Sequence, residues 1–474
     1  MTEISDVQSR AASEQSFLQA LKSAVAGGDL DFTEGPLGRA IALLAIPMVL
    51  EMVMESVFAI CDVFFVSKLG ADAVATVGLT ESLLTLVFSL AIGLGMGTTA
   101  LVARRVGERD LRGARVAAAQ SILAGLAASV VLGTIGVVTG PFAIRIVGAS
   151  ESVVAVGSMY SRVLLGGCGT VVLLFVVNAI FRGAGDAAIA MRVLWLANIV
   201  NLILDPCLIF GLGPFPRLGV TGAAVATTIG RGVGVLYQVW CLSAGRSRIR
   251  LPLDEVRFHA ESMRRLLAVS LGGIGQIFIA TCSWVVLVRI IARFGSAAVA
   301  GYTIAIRIVI FSILPAWGMA NAAATLVGQN LGAGKPERAE RSAWLTGGYN
   351  MIFLGLIAIA FLAFGGSIVG IFADQPSVHA VGVECLRIIS YGYLFYAMGM
   401  VIVQAFNGAG DTGTPTKINF FCYWMFQIPL AYFLAVSLDM GPRGVFWAIA
   451  VAEALLTITG VLVFSRGSWK RQEI

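Results

Sequence analysis

Apolar runs of about 20 residues recur along the whole chain, and each can cross roughly 30 Å of hydrocarbon as a helix. Only 13% of the residues are charged and the mean hydropathy is +0.88, whereas soluble proteins have about 25% charged residues. The runs are continuously apolar rather than alternating, which argues against a transmembrane β-barrel. The sequence therefore predicts an all-α integral membrane protein.

Turn signals between the apolar runs predict about twelve transmembrane spans, six on each side of a polar break near the middle of the chain. The predicted spans cover residues 39–66, 74–102, 116–140, 153–180, 190–212 and 219–243, then 264–292, 298–328, 342–370, 380–407, 415–438 and 444–465. They define two six-helix lobes with polar connections. The predicted divisions are an N-terminal segment (1–37), an N-lobe (38–243), a linker (244–263), a C-lobe (264–466) and a tail (467–474).

Lysine and arginine are concentrated in the loops of one side, which include the N-terminal segment, the loop after the second span and the central linker. Loops rich in these residues remain in the cytoplasm. Residues 1–35 lack the basic start and apolar core of a cleaved signal peptide. We therefore expect a multi-pass protein of the plasma (inner) membrane with both termini in the cytoplasm.

The two halves of the sequence resemble each other. Three segments recur in order at an offset of 225 residues, and a fourth pair, GVTGAAVA and GPRGVFWA, matches more loosely. The three are LGADAVA (69–75) with FGSAAVA (294–300), LVARRVG (101–107) with LVGQNLG (326–332), and AIFRGAGD (179–186) with QAFNGAGD (404–411). Six spans separate the copies, so both have the same topology. Parallel repeats of this kind build transporters whose two lobes move about a central cavity.

Three acids, Glu51, Glu55 and Asp62, lie on one stripe of the first span, because a helix has 3.6 residues per turn. An acid that faces lipid costs roughly 2.5–3.5 kcal/mol, so the stripe should face a cavity or other helices. Two interpretations stay open at this point. The acids could have a structural role, in which they satisfy backbone groups or pair with buried arginines such as Arg231 or Arg307, or they could bind a proton or a cation.

The fifth span contains NLILDPCL, in which Asn201 and Asp205 are four residues apart and share a helical face. Pro206 removes a backbone donor and frees a carbonyl in the preceding turn. A carboxylate, an amide and free carbonyl groups together suit a proton or a Na⁺ ion.

These motifs, together with CDVFFVSKLGADAVATVGL, the two GAGD turns and GVTGAAVAT, resemble the multidrug and toxic compound extrusion (MATE) family over residues 37–465. The resemblance implies two six-helix bundles that alternate access across the membrane. It also implies export of organic compounds, driven by inward flow of H⁺ or Na⁺, with no other cofactor. Within that family, the chain is similar to the prokaryotic branch whose coupling site lies in the N-lobe.

By matching motif, the resemblance assigns the H⁺ or Na⁺ site to Asp62, Asn201, Asp205 and Thr227, with Asn178 and Tyr160 as polar neighbours, and Na⁺ itself to Asp62, Asn201 and Asp205. It also implies that the first helix bends at Pro47. Another branch carries acids on the seventh and tenth spans, where this chain has only Gln276 and Gln404. This departure favours an N-lobe site.

Glu51, Glu55 and Glu81 lie outside the family pattern and are either cavity acids that favour cationic substrates or members of structural pairs. Glu453 and Arg231 occupy corresponding repeat positions and could pair between the lobes or lie near water, and Arg307 corresponds to Glu81. Aromatic residues of the C-lobe are expected to stack on flat substrates. The candidates are Phe311, Trp317, Tyr391, Tyr393, Phe395 and Tyr396.

The expected substrates are small organic compounds, and the chain should act as a monomer in the lipid bilayer without binding nucleic acid. The alternative from the same superfamily is a flippase for lipid-linked oligosaccharides, which would need a cavity rich in basic residues. An intramembrane enzyme is disfavoured because His259 and His379 lie in or near loops and HExxH and nucleophile-elbow motifs are absent. The seven scattered cysteines are expected to be unpaired.

Overall fold

The computed structural model describes residues 22, 24–27, 31–146, 148, 150–252, 256–472 and 474, and within them the chain is helical and contains no strand. Most of the predicted N-terminal segment (1–37) lies outside these residues. The helices are α1 Leu37–Ser67, α2 Ala71–Gly107, α3 Leu111–Ile146, α4 Glu151–Ala184, α5 Ala187–Phe210, α6 Val220–Ser243, α7 Ala260–Phe294, α8 Ser296–Gly332, α9 Pro336–Gly370, α10 Pro376–Tyr391 with Tyr393–Gly408, α11 Gly413–Ser437 and α12 Pro442–Ser465.

Within the described residues, ten of these helices are long and apolar enough to cross a membrane, and the two parts of α10, bent by 58°, count as an eleventh. The remaining helix is α6, whose hydropathy is lowered by Arg231, Gln238 and several glycines. The helices follow one another in the predicted order. The structure therefore confirms an all-α membrane protein with about twelve helices.

The internal repeat is visible in the backbone at corresponding turns. Gly70 and Gly295 precede α2 and α8 with φ values of 97° and 96°, and Gly185 and Gly410 of the two GAGD turns have φ values of 93° and 86°. Glycine adopts positive φ without steric cost. The repeated sequences therefore form the same turns in both halves.

Both described ends of the chain lie at one end of the helical bundle, which we call the terminal face. Arg338 on α9 donates to the carbonyl of Gly35 over 2.9 Å, and Arg104 on α2 donates to the carbonyl of Gln472 over 2.6 Å. Lys470 pairs with Glu340 at 2.6 Å. The other end of the bundle is called the opposite face.

The two halves of the molecule contact each other closely in the half of the bundle near the terminal face. There α1 packs against α8, and α2 packs against both α7 and α8. Glycines let the backbones approach, since a Cβ on Gly318 would overlap Met48 O and one on Gly107 would overlap Gln329 O. Thr325 Oγ1 donates to Arg182 O (3.1 Å) and Gln329 Nε2 donates to Gly183 O (2.9 Å) across this seam. The seam closes the bundle toward the terminal face.

Candidate functional site

The predicted acid of α5 is fully buried. Asp205 has no exposed surface and Asn201 is 3% exposed. The Asn201 amide is oriented so that its nitrogen and its oxygen both form hydrogen bonds. Nδ2 donates to Asp205 Oδ2 (2.7 Å), and Oδ1 accepts from Thr227 Oγ1 (2.9 Å). The second carboxylate oxygen, Asp205 Oδ1, is buried without a hydrogen-bond partner among the described residues. Asn201, Asp205 and Thr227 thus form one bonded unit, which we call the Asp205 cluster, between α5 and α6.

Asp62 and Tyr160 approach this cluster from α1 and α4. Asp62 lies within electrostatic range of Asp205, and Tyr160, which is buried, lies within range of both acids. Glu81 on α2 is exposed and lies within range of Asp62. The structure therefore places Asp62, Tyr160, Asn201, Asp205 and Thr227 in one region of the N-lobe.

Arg231 of α6 is the nearby cation, and its guanidinium lies 5.7 Å from the centre of the Phe88 ring. It lies within electrostatic range of Asp62 and Glu81. Glu453, the suggested partner in the other lobe, accepts a hydrogen bond from Tyr423 Oη instead (3.1 Å). The suggested pairing of Arg231 with Glu453 between the lobes is therefore wrong in this conformation.

Asn178 belongs to a second cluster that is separate from Asp205. It donates to Glu51 Oε1 (3.1 Å) and its own Oδ1 accepts from Gln238 (2.8 Å). Arg182, one turn further along α4, pairs with the same oxygen of Glu51 at 3.3 Å. Glu51 is therefore paired with Arg182, and neither Arg231 nor Arg307 takes that position.

Glu55 accepts a hydrogen bond from Asn198 of α5 (3.1 Å) and lies beside the same cluster. A chamber of about 200 Å³ is lined by residues of both lobes at this level. Its polar lining residues include Glu51, Glu55, Asn178, Arg182, Asn321 and Asn407. We call this space the inner chamber, because it borders the seam.

Pro47 lies inside α1, which continues as a helix through this residue to Ser67. Gly318 of α8 packs against the backbone of Met48, the next residue. A bend of α1 at Pro47 would therefore have to change the contact between the two lobes.

A larger cavity of about 470 Å³ lies in the C-lobe, within the half of the bundle toward the opposite face. Its aromatic lining residues are Trp284, Tyr302, Trp317, Tyr393, Tyr396 and Tyr423. Glu453 is the one acid among the described residues that line it, and none of those residues is a lysine or an arginine. A cavity of this size, apolar with a few polar groups, is typical of a site for small organic molecules.

Three of the six aromatic candidates, Trp317, Tyr393 and Tyr396, line this C-lobe cavity. The other candidates do not. Tyr391 is exposed and stacks on Trp447 with ring centres 6.0 Å apart, Phe395 is also exposed, and Phe311 is not among the lining residues.

The hydrogen-bond partners of these polar side chains were not predicted from the sequence. Arg182, Asn198, Gln238 and Tyr423 each bond to a predicted residue or to its neighbour. Two of these partners could have been predicted from the helical spacing. Asn198 shares a face with Asn201 and Asp205, and Arg182 lies four residues after Asn178.

Among the described residues, no group of three or more His, Cys, Asp or Glu is arranged to hold a metal ion. The cysteines are unpaired. A single Na⁺ needs oxygen ligands rather than such a group, and the Asp205 cluster contains the free Asp205 Oδ1 and the Thr227 hydroxyl. The donor set therefore fits either a proton or one Na⁺.

Apolar helices in two repeated halves, buried carboxylates in one lobe and an aromatic cavity in the other are features of a polytopic membrane transporter. The MatE family model matches residues 47–207 and again residues 274–433. These two matches cover more than half of the chain and coincide with its internal repeat. The chain belongs to the MATE family, whose members are transporters and not enzymes.

Curated relatives match almost the full chain. "Probable multidrug resistance protein NorM" of Thermotoga maritima is 26% identical over 435 residues, which cover 91% of this chain and 93% of the relative. "FAD transporter" of Shewanella oneidensis is 26% identical over 427 residues, covering 89% and 93%. The names of these relatives cover more than one kind of substrate.

Solved structures match the fold over almost all of its length. "Crystal structure of MATE in complex with MaL6" has a TM-score of 0.88 and 27% identity, and covers 94% of this chain and all of that one. "Outward-facing conformation of a multidrug resistance MATE family transporter of the MOP superfamily" has the same TM-score and identity, and covers 94% and 99%. The two-bundle fold that the resemblance implied is therefore confirmed.

Proposed function

We propose that this protein is a secondary active antiporter that exports small organic cations in exchange for H⁺ or Na⁺. It acts as a monomer in the plasma (inner) membrane with both termini in the cytoplasm, since one chain holds a candidate ion site and a candidate substrate cavity. The N-lobe, residues 38–243, carries the ion site, and the C-lobe, residues 264–466, carries the substrate cavity.

The observation that carries the proposal is the free, buried oxygen of Asp205. An ionised carboxylate without a partner is costly in a low-dielectric interior, and binding of a proton or a Na⁺ ion removes that cost. Asp62 within electrostatic range raises the cost further, because two like charges repel. The Asp205 cluster is therefore suited to bind a cation from one side of the membrane and release it to the other.

The C-lobe cavity supports an organic cation as the exported compound. Aromatic faces attract a cation within about 6 Å of the ring centre, and Glu453 supplies a compensating negative charge. A flippase for lipid-linked oligosaccharides would need basic residues to hold a pyrophosphate, and the described lining contains none. This composition favours the antiporter over the flippase.

Coupling follows if the ion and the substrate each bind one conformation better than the other, since a ligand shifts an equilibrium only by its difference in affinity. In the conformation described, the seam near the terminal face is closed. Neutralisation of Asp205 would favour closer packing of α1 on α5, and a bend of α1 at Pro47 would transmit the change to α8 through Met48 and Gly318.

The test is transport in proteoliposomes, with a proton gradient and a Na⁺ gradient imposed separately, for the wild type and for Asp205→Asn. The wild type should export a flat organic cation with one of the two gradients, and the variant should lose this gradient-driven export. Full gradient-driven export by the variant would exclude Asp205 as the coupling residue. Transport of FAD or a lipid-linked sugar, but of no organic cation, would overturn the proposed substrate class.

A further inference from the structure

The ion pair between Glu51 and Arg182 has an uncharged counterpart in the other lobe. The residues 225 positions later are Gln276 on α7 and Asn407 on α10. Gln276 Nε2 donates to Asn407 Oδ1 over 2.9 Å, where Arg182 Nη1 donates to Glu51 Oε1 over 3.3 Å. The same crossing of corresponding helices is therefore held once by charges and once by amides.

This correspondence shows that the fold can hold this helix crossing with an uncharged amide pair. Buried ion pairs often stabilise a protein no more than well-packed neutral groups, because both ions must leave water. The amide pair of the C-lobe satisfies the same geometry without that cost. We therefore look for a role of the Glu51 charge other than helix packing.

The charges around Glu51 are not balanced. Glu51 is 2% exposed, and its Oε2 has no hydrogen-bond partner among the described residues. Among the described residues, the charged groups that line the inner chamber are Glu51, Glu55 and Arg182. The side chains that face them from α5, α8 and α10 are neutral amides, namely Asn198, Asn321, Gln404 and Asn407. Two acids and one arginine leave room for one more positive charge.

Opening of the terminal face would disturb the ion pair directly. The carbonyls of Arg182 and Gly183 accept hydrogen bonds from Thr325 and Gln329 of α8 across the seam. When the lobes separate there, the end of α4 loses these two bonds and Arg182 is free to move from Glu51. An unpaired carboxylate at this depth would then favour uptake of a proton.

We propose that Glu51 is a second proton-binding carboxylate of the transport cycle. Arg182 neutralises Glu51 while the terminal face is closed, and a proton neutralises Glu51 when that face is open. Each cycle then moves one proton more than the Asp205 cluster would account for alone. This inference rests on the proposed antiport and adds a second ion-binding site to it.

The test replaces the ion pair by the amide pair that the protein already uses. The variant Glu51→Gln with Arg182→Asn copies Gln276 and Asn407, and the matched control is Glu261→Gln with Arg265→Asn, an exposed pair on α7 at 2.7 Å. The number of protons exchanged per substrate is measured in proteoliposomes from the pH gradient that balances a known substrate gradient. Glu51→Gln alone serves as a second variant.

We expect the Glu51→Gln, Arg182→Asn variant to exchange one proton fewer per substrate than the wild type. The Glu261→Gln, Arg265→Asn control should keep the wild-type number of protons per substrate. An unchanged ratio in the variant would overturn the proposal. Failure of both Glu51 variants to fold, or loss of all export by a folded variant, would also overturn it, because the ion pair would then be structural or indispensable for transport itself. If the wild type shows no gradient-driven export, the proposed antiport fails instead.

Discussion

The N-lobe and the C-lobe repeat the same six helices but carry different chemistry at corresponding positions. On α5, Asn201 and Asp205 form the buried cluster with Thr227, whereas 226 positions later α11 has Gln427 and Ala431. Gln427 Oε1 accepts a hydrogen bond from Ser283 (3.1 Å), and neither position 427 nor position 431 carries a carboxylate. Corresponding helices can therefore serve an ion site in one lobe and a substrate cavity in the other.

This division has a physical consequence for coupling. The ion and the substrate are not expected to compete for one carboxylate, since Asp205 lies in the N-lobe and Glu453 in the C-lobe. The coupling between them must then pass through the relative position of the lobes, as a difference in binding free energy between two conformations.

The largest effect is expected when the N-lobe receives the C-lobe pattern. In Asn201→Gln with Asp205→Ala, export driven by an ion gradient should fall by roughly 100-fold, within the usual range of coupling energies, because the free carboxylate oxygen is removed. Substrate affinity, measured by equilibrium binding, should stay close to that of the wild type. A parallel loss of affinity would mean that the two lobes are not separate sites.

An intermediate effect is expected in the C-lobe from Glu453→Gln. The variant keeps a hydrogen-bonding group beside Tyr423 but removes the negative charge from the cavity. Binding of an organic cation should weaken by about 10-fold, which is about 1.4 kcal/mol, and binding of a neutral compound of the same shape should not change. Equal losses for both compounds would argue that Glu453 acts through packing.

The smallest effect is expected at the boundary between the lobes. Glu81 on α2 and Arg307 on α8 occupy nearly equivalent repeat positions, are both exposed and lie within electrostatic range of each other. These two residues do not form an ion pair with each other in the conformation described. We expect them to form one when the opposite face closes. Exposed pairs contribute roughly 0.2–1 kcal/mol.

The corresponding test exchanges these two charges. Glu81→Arg or Arg307→Glu alone should slow export a few-fold, because like charges would then face each other, and the double exchange should restore the rate. Initial rates in proteoliposomes measure the effect. Absence of recovery in the double exchange would show that the two residues act separately.

The helices and the shared face of Asn201 and Asp205 were predictable because both depend on local spacing, whereas Thr227 on α6 was assigned by the family resemblance. Long apolar runs define the spans, and Asn201 and Asp205 share a face whatever surrounds them. The pairing of Glu51 with Arg182 was not predicted, since it depends on where α1 crosses α4. The prediction that Tyr391 and Phe395 line the C-lobe cavity was wrong because α10 bends by 58° at Gly392. A single helical period cannot describe the facing of side chains on both sides of that bend.

Both described ends of the chain take part in the contact between the lobes. Phe32 packs on Gly185 of the N-lobe, and its carbonyl accepts a hydrogen bond from Arg338 of the C-lobe. Ile474 lies against Gly410, while the nearby Gln472 carbonyl accepts from Arg104. A fusion tag attached after Ile474 would add its bulk at this lobe boundary. Turnover rates measured with such a tagged protein would describe a cycle whose closing step has been altered.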